Sequence, residues 1–363
     1  MNILALMPDA YGGFGGIAQY NRDLLDSLSG LEEVGSVLSV PRLRPGTETR
    51  LPRKVVERPT PGGALNYVRV AIRLGFEIRP DLILCGHVNL MPVAALLKKC
   101  IGSPVVLEAY GIEVWNRPGR VHSWAVGQVD LVISISRYTR ERLITWSGLP
   151  PHRVKVIPNA IHRERYRPGC KPPHLVERYG VGGKRVLLTV GRLSGRERYK
   201  GHDRIISSLP KLSSVFPDLV YVIAGGGDDT GRLEDLAVAH GVRGRVIFTG
   251  RISEEEKVDH YNLADAFAMP STGEGFGFVF LEASACHVPV LGGSKDGSRD
   301  ALLDGRLGTM VDPDDPDELL AGLVEVLRKD RSAPGALHVF DQSRFEAQIR
   351  SLFSFGQRAL RAT

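Results

Sequence analysis

Cysteine is scarce in this chain of 363 residues, which has four cysteines and no pair at the C-x-x-C spacing. Neither a disulfide scaffold nor a cysteine-rich metal site is expected, and a reducing cytoplasm is the natural compartment. No apolar run approaches the roughly 18 residues that a membrane-spanning helix needs. Residues 1–7 lack a basic segment ahead of their apolar run, so they predict a first strand rather than a signal peptide.

Aromatic residues make up only 7% of the chain, whereas the formal net charge is +6. The first 165 residues carry 21 Lys and Arg against 14 Asp and Glu, so the positive charge is concentrated there. A basic half suits an anionic partner such as a membrane surface, a phosphate-bearing substrate or nucleic acid. Nucleic-acid binders interleave aromatic residues with cations, and the basic segment 42–58 has no aromatic residue. We therefore expect no nucleic-acid partner.

Short apolar runs alternate with amphipathic segments along the chain, which predicts an α/β fold with mostly parallel sheets and helices on both faces. The predicted strands cover residues 2–7, 34–40, 81–85, 104–109, 130–134, 186–190, 219–224, 245–249, 265–269 and 288–291. The predicted helices cover residues 17–29, 202–216, 230–240, 253–262, 278–286, 315–328 and 344–361.

A segment rich in proline and glycine, residues 158–184, separates two halves with this same alternation and indicates a connection between domains. We expect an N-terminal domain over residues 1–165 and a C-terminal domain over residues 166–338. The last helix, within residues 339–363, is expected to pack back on the N-terminal domain. Two such domains would place the carboxyl ends of their sheets across a cleft, where ligands of open α/β sheets bind.

Two kinds of loop suggest anion binding. The glycine-rich loop 12–16 leads from the first strand into the first helix, which suits close backbone approach and free N–H groups. Its spacing is not that of the dinucleotide fingerprint. Arg192 and Lys200 flank a loop after a later strand, and both side chains bind phosphate, although a solvated basic loop is the alternative. The glycines at 225–227 are more simply explained as a tight turn.

The strongest signal is a pair of glutamates, Glu274 and Glu282, set around a glycine-rich loop. Gly275 to Gly277 open a helix whose N–H groups suit an anion. Glu282 lies two turns into that helix, where its carboxylate can accept from both hydroxyls of a ribose, and Glu274 is placed for the hydroxyls of a bound sugar. Paired glutamates at this spacing are common on solvated helix faces, but the surrounding glycines favour a functional interpretation.

These motifs resemble family 4 of the retaining glycosyltransferases. The resemblance rests on the E-x(7)-E block that joins Glu274 to Glu282, the Arg192 and Lys200 pair, the early glycine loop and the segment 156–159. It covers nearly the whole chain with the motifs in the family's order. It implies the GT-B fold of two Rossmann-like domains and transfer of a hexosyl residue from a nucleoside-diphosphate sugar. It implies neither a metal nor a cofactor, since the sugar nucleotide is a substrate.

The resemblance also assigns roles to individual residues. Arg192 and Lys200 would hold the diphosphate, and Glu274 would hold the donor sugar, which makes these three the candidate catalytic residues. The other expected donor contacts are Glu282 at the ribose, Arg251 and Ile252 beside the base, Gly16 near the diphosphate across the cleft, and the loop residues Gly275, Phe276, Gly277 and Phe278.

The chain departs from the family's pattern after the predicted strand 104–109. Where the family often has a histidine before a glycine, this chain has Tyr110, which is a poor base at neutral pH. His87 and Glu113 are the other residues expected near the sugar or the acceptor, with an ordinary capping histidine as the alternative for His87. In the scheme commonly proposed for this family the leaving phosphate takes the acceptor's proton, so no strong protein base is required.

The resemblance implies that the first domain faces the acceptor, and the basic charge of this half fits that role. Segments 42–58 and 117–142 suit anionic lipid headgroups or a lipid-linked pyrophosphate. We therefore expect a cytoplasmic enzyme, peripheral on the inner face of the membrane, that extends a lipid-linked or growing surface glycan. The cations of the first segment are Arg42, Arg44, Arg50, Arg53, Lys54 and Arg58. The main alternative is a sugar-nucleotide 2-epimerase, and a basic non-enzymatic binder and a hydrolase with paired carboxylates are further ones.

Overall fold

The computed structural model divides the chain into two compact units. The first contains residues 1–160 and 342–363, and the second contains residues 161–341. The residues that the structure describes are 1–43, 50–60 and 62–360, with side chains described as far as residue 353.

The first unit is built on one sheet. Its strands are β1 Asn2–Met7, β2 Ser36–Pro41, β3 Val55–Glu57, β4 Leu82–Cys85, β5 Val105–Ala109, β6 Leu131–Ser134 and β7 Val154–Val156. They form a seven-stranded parallel sheet in the order β3-β2-β1-β4-β5-β6-β7. Its helices are α1 Gly16–Ser29, α2 Ala64–Ile78, α3 Met91–Ile101, α4 Ile112–Trp115, α5 Arg120–Val126 and α6 Arg137–Ser147.

The second unit repeats this architecture. Its strands are β8 Arg185–Val190, β9 Leu219–Ala224, β10 Val246–Gly250, β11 Ala266–Met269, β12 Val290–Gly293 and β13 Thr309–Val311. They form a six-stranded parallel sheet in the order β10-β9-β8-β11-β12-β13. Its helices are α7 Pro173–Tyr179, α8 His202–Val215, α9 Thr230–Ala239, α10 Lys257–Leu263, α11 Phe278–Ala285, α12 Ser298–Ala301 and α13 Pro316–Arg328.

The predicted α/β class with parallel sheets is confirmed, and the three strands that the sequence did not predict all lie at sheet edges. β3, β7 and β13 have three residues each, too few for a recognisable apolar run. The helix predicted over residues 253–262 begins later, at Lys257, because residues 253–256 form a turn in which the Glu256 N–H donates to Ser253 Oγ at 3.2 Å.

The boundary between the two units falls after Ala160, whereas the sequence predicts it after residue 165. Ile161 pairs with Asp341 in an isolated parallel bridge, and Arg165 donates a hydrogen bond to the Glu254 backbone. These contacts tie residues 161–165 to the second unit. Within the described residues, no helix is long and apolar enough to span a bilayer.

The last helix, α14 Gln342–Leu360, belongs to the first unit although it follows the second in sequence. The ring of Phe345 meets Tyr20 of α1 edge-on, with ring centroids 5.5 Å apart. Phe345 and Ile349 are both buried, and they lie one helical turn apart on the same face. Apolar burial therefore attaches the tail to the first unit.

Replacing Phe345 with Ala is expected to lower the free energy of unfolding by about 3 kcal/mol, because the substitution removes a buried ring and leaves a cavity beside Tyr20. Urea unfolding followed by fluorescence measures the loss. Gln348→Ala, at an exposed position of the same helix, is the matched control. Equal stability of the two variants would show that the tail does not depend on this contact.

Candidate functional site

The predicted residues of the second unit follow strands that end at one edge of its sheet. Arg192 and Lys200 follow β8, Arg251 follows β10, and Glu274 follows β11. The carboxyl ends of parallel strands share an edge, and β8 pairs directly with β11. The topology thus brings loops that are far apart in sequence to one place.

Lys200 and Glu274 form an ion pair at this edge. Lys200 Nζ lies 3.1 Å from Glu274 Oε2, and the lysine side chain is only 12% exposed. Burial alone lowers the pKa of Lys200, but the nearby charges of Glu274 and Glu197 outweigh it and hold the pKa above its usual value. The structure therefore joins two of the three predicted catalytic residues and keeps the lysine charged.

Arg192, the third predicted catalytic residue, points outward. Its side chain is 81% exposed, and Nη2 lies 2.6 Å from Glu197 Oε1. Glu197 also lies 3.8 Å from Lys200 Nζ, so one carboxylate compensates both cations. Sequence reasoning missed Glu197, although an acidic residue between two cations of a basic loop is a visible signal.

The loop after Glu274 offers backbone donors. Gly277 precedes α11 with φ at 94°, in the left-handed region that favours glycine. The ring of Phe276 is buried against Phe340 with centroids 5.6 Å apart, so only its backbone is available to a ligand. Among the described residues, the N–H groups of Phe276 and Gly277 have no protein acceptor. Phe278, the first residue of α11, is half-buried.

Glu282 lies inside α11 and is almost fully enclosed. Its Oε1 accepts from the Tyr166 hydroxyl at 2.8 Å and from Lys257 Nζ at 3.0 Å, and Oε2 accepts from the Tyr261 hydroxyl at 2.6 Å. Burial raises its pKa, but the Lys257 charge and these hydrogen bonds more than offset it, so the pKa lies below its usual value. Glu282 is therefore a fixed carboxylate, and its role at a ribose stays a prediction.

Two of the glycines at 225–227, Gly225 and Gly227, are required by packing within the protein. A Cβ on Gly225 would lie 1.8 Å from the Gly191 carbonyl oxygen, and one on Gly227 would lie 1.9 Å from that of Leu193. This agrees with the tight-turn interpretation. Arg251 is exposed and Ile252 is half-buried on the neighbouring loop after β10, and their contact with a base stays a prediction.

In the first unit, Gly16 is the exposed first residue of α1. Gly15 before it has φ at 89°, and a Cβ on Gly13 would lie 2.0 Å from Asp9 Oδ2. Arg22 donates to the carbonyl oxygens of Ala10 and Gly13 and fixes the loop from within. The loop geometry thus requires glycine, and a ligand role for Gly16 stays a prediction.

Tyr110 is buried instead of presented at the surface of its unit. Its hydroxyl meets two acceptors, Asn21 Oδ1 and Glu108 Oε2, but it has only one proton. Asn21 cannot reverse, because its Nδ2 donates to the Asp9 carbonyl oxygen. A protonated Glu108 resolves the conflict by donating to the tyrosine oxygen. Burial likewise raises the pKa of Glu108 to about 7.

Sequence reasoning missed Glu108, because a carboxyl within an apolar strand can be recognised as unusual only once its burial is known.

Glu113 and His87 both accept hydrogen bonds from nearby backbone N–H groups. Glu113 Oε1 accepts from the N–H groups of Tyr110 and Gly111, and His87 Nδ1 accepts from the Asn89 N–H at 3.1 Å. Burial lowers the pKa of His87. His87 thus caps a short helical turn, and its contact with a sugar or an acceptor stays a prediction.

Comparisons with known proteins agree with this architecture. Residues 14–165 match the model described as "Glycosyltransferase Family 4", and residues 177–336 match "Glycosyl transferases group 1". A GDP-mannose-dependent alpha-(1-6)-phosphatidylinositol monomannoside mannosyltransferase of Mycolicibacterium smegmatis is 37% identical over 56% of this chain and 54% of its own length. A second relative, from Corynebacterium glutamicum, is 30% identical over 68% of each chain. It is named "GDP-mannose-dependent monoacylated alpha-(1-6)-phosphatidylinositol monomannoside mannosyltransferase".

Solved structures match over nearly the whole chain. Anabaena HepE in complex with UDP has a TM-score of 0.77 at 22% identity and covers 98% of this chain and 100% of that one. Sucrose-phosphate synthase of Thermosynechococcus elongatus has a TM-score of 0.80 at 18% identity and covers 99% of each. The chain belongs to family 4 of the glycosyltransferases and has their GT-B fold. It spans about half the length of the first of the curated relatives named above.

Glu108→Gln is expected to remove a pH dependence of stability, since a glutamine Nε2 can donate to Tyr110 at every pH. The folded pKa of about 7 exceeds the ordinary value of 4.5, so the wild type loses stability as pH rises between them. The loss relative to the variant should reach about 3 kcal/mol above pH 7. Urea unfolding from pH 4.5 to 8 measures it.

Glu77→Gln, at an exposed helix position, is the control and should follow the wild type at every pH. A constant stability difference between wild type and Glu108→Gln across this range would mean that Glu108 is ionised in the folded protein.

Proposed function

We propose that this chain is a retaining, metal-independent hexosyltransferase that uses a nucleoside-diphosphate sugar. The observation that carries the proposal is the ion pair of Lys200 with Glu274, 3.1 Å apart at the carboxyl edge of the second sheet. Beside it are the N–H groups of Phe276 and Gly277, to which no described protein group is bound. A largely enclosed cation, backbone donors and a carboxylate in one loop cluster suit a phosphate joined to a sugar.

Breaking the bond between the anomeric carbon and the diphosphate leaves positive charge on the sugar and negative charge on the diphosphate. Lys200, with Arg192 when its exposed side chain turns inward, would stabilise the leaving group as fixed positive charge. A phosphate beside Lys200 would replace Glu274 as its partner. The Glu274 carboxylate would then be released to accept from hydroxyls of the donor sugar.

Retention follows if the acceptor hydroxyl attacks from the face that the diphosphate leaves. A new bond forms between the acceptor oxygen and the anomeric carbon, and the acceptor's proton passes to the departing phosphate oxygen. No protein base is needed in this scheme. That suits Tyr110, whose hydroxyl is committed to Asn21 and Glu108 within the first unit.

The named relatives suggest a donor and an acceptor. Both curated mannosyltransferases are GDP-mannose-dependent and act on a phosphatidylinositol monomannoside. GDP-mannose and an inositol-phosphate glycolipid are therefore the proposed substrates of this chain. The isomerase alternative has no comparable support, and the hydrolase alternative would need two free carboxylates, whereas both Glu282 oxygens accept hydrogen bonds from the protein.

A thermal-shift panel of GDP, UDP, ADP and their sugar conjugates in EDTA tests the donor. A ligand at a hundred times its dissociation constant adds about 2.7 kcal/mol, so the true donor should raise the melting temperature by several degrees. Lys200→Ala is expected to abolish the shift because it removes the enclosed cation. Arg196→Ala, an exposed cation of the same loop, is the control and should keep it.

Product analysis with the stabilising donor separates the remaining possibilities. A glycoside of retained anomeric configuration, formed in EDTA, is the expected product. An epimerised sugar nucleotide without any acceptor would favour the isomerase, and inverted configuration or a requirement for metal would contradict the proposed reaction.

A membrane surface is the proposed source of the acceptor, and side chains of the first unit support it. Val121 and Trp124 of α5 are exposed apolar residues, and Lys99 Nζ lies 4.8 Å from the Trp124 ring centroid. Exposed aromatic and apolar groups beside cations suit the interface of an anionic bilayer. In the predicted basic segment, Lys54 instead donates to the Leu31 carbonyl oxygen, and Arg44 lies outside the described residues.

Flotation with vesicles containing anionic phospholipid is expected to recover the wild type, with recovery falling as salt rises. Trp124→Ala should reduce recovery several-fold because it removes apolar contact at the interface. Val238→Ser, at an exposed apolar position of the second unit, is the control. Equal recovery of both variants, or none by the wild type, would exclude this surface.

A further inference from the structure

Asp296 is a fully buried carboxylate in the loop between β12 and α12. Its Oδ2 accepts from Ser271 Oγ at 2.6 Å and from the Glu274 N–H at 2.7 Å, and its Oδ1 accepts from the Ser298 N–H at 2.9 Å. Three donors directed at one side chain match the ionised form. Burial raises the pKa of Asp296 to about 6, which still leaves it charged at neutral pH.

Backbone contacts join the same two loops. The Gly297 N–H donates to the Glu274 carbonyl oxygen at 2.8 Å. A Cβ on Gly297 would lie 2.0 Å from the Gly275 carbonyl oxygen, and one on Gly293 would lie 2.0 Å from that of Ser271. The loop of Asp296 therefore lies directly against the loop of Glu274, with no room for a side chain between their backbones.

The other side of the Glu274 loop rests on the segment that carries Lys200. The Thr272 N–H donates to the Tyr199 carbonyl oxygen at 2.9 Å, and a Cβ on Gly273 would lie 2.6 Å from the Tyr199 ring. The loop is thus held from both sides. The Glu274 side chain remains 21% exposed, whereas Asp296 has no exposed surface and cannot touch a ligand.

We propose that Asp296 is a positioning residue for sugar transfer, and that it acts by fixing the backbone of Glu274. The hydrogen bond to the Glu274 N–H sets the direction in which the carboxylate leaves the loop. This inference rests on the proposed function, since it concerns the sugar that Glu274 would hold.

The test uses Asp296→Asn in the full chain, with GDP-mannose as donor and an inositol-phosphate glycolipid as acceptor. The side chain keeps its size, but one oxygen becomes an NH₂ group that faces an N–H donor. We expect kcat to fall by about tenfold or more, because a donor pair opposed in this way displaces the loop. The affinity for free nucleoside diphosphate should change by less than about threefold, since Lys200 and Glu282 are untouched.

Gly297→Ala provides a second variant that leaves the carboxylate in place. Its Cβ would overlap the Gly275 carbonyl oxygen, so the Glu274 loop must move, and the same loss of kcat with retained nucleotide affinity is expected. Asp304→Asn, an exposed carboxylate that pairs with Arg299 beyond α12, is the matched control and should behave as the wild type.

Each outcome bears on the inference. Wild-type kcat in a folded Asp296→Asn overturns it. A variant in which kcat, nucleotide affinity and melting temperature all fall markedly overturns it too, since Asp296 would then only stabilise the fold. A wild type that binds nucleotide but transfers no sugar defeats the proposed function first, and the inference with it. Failure of the proposed function is seen with the wild type alone, whereas failure of the inference is seen only when the variants are compared with an active wild type.

Discussion

Parallel pairing of β8 with β11 is the constraint on which the candidate site depends. The two strands are separated in sequence by β9 and β10 but are neighbours in the sheet, and both run toward the same edge. Lys200 follows one and Glu274 follows the other, so the pair exists only because the chain crosses over twice and returns. Any slip of this register would separate the cation from the carboxylate.

Buried carboxyl groups near the sheet edges avoid an uncompensated charge in two different ways. In the second unit, buried carboxylates stay ionised because donors surround them, as Lys257 and two tyrosines surround Glu282. In the first unit, no cation among the described side chains pairs with Glu108, and its best partner is the oxygen of Tyr110 once the carboxyl is protonated. A buried charge without compensation is costly, so the environment decides the protonation state.

Glycine has more than one use in this chain. At Gly277 it permits a left-handed backbone just before a helix that offers N–H groups. At Gly225 and Gly297 it permits two protein backbones to touch. Sequence motifs alone do not separate these uses, because both appear as clusters of glycine after a strand. The distinction needs the neighbour against which each glycine packs.

The sequence by itself determined the α/β class, the core strands and the identity of the motifs around Glu274 and Lys200, because apolar periodicity and glycine spacing are local properties. Tertiary structure decided the rest. The short edge strands carry too few residues for a pattern, and Asp296 reaches Glu274 from a loop more than twenty residues later in the chain. The sequence likewise does not show whether the Tyr110 hydroxyl faces solvent or Glu108. That depends on burial, which arises when α1 packs beside the end of β5.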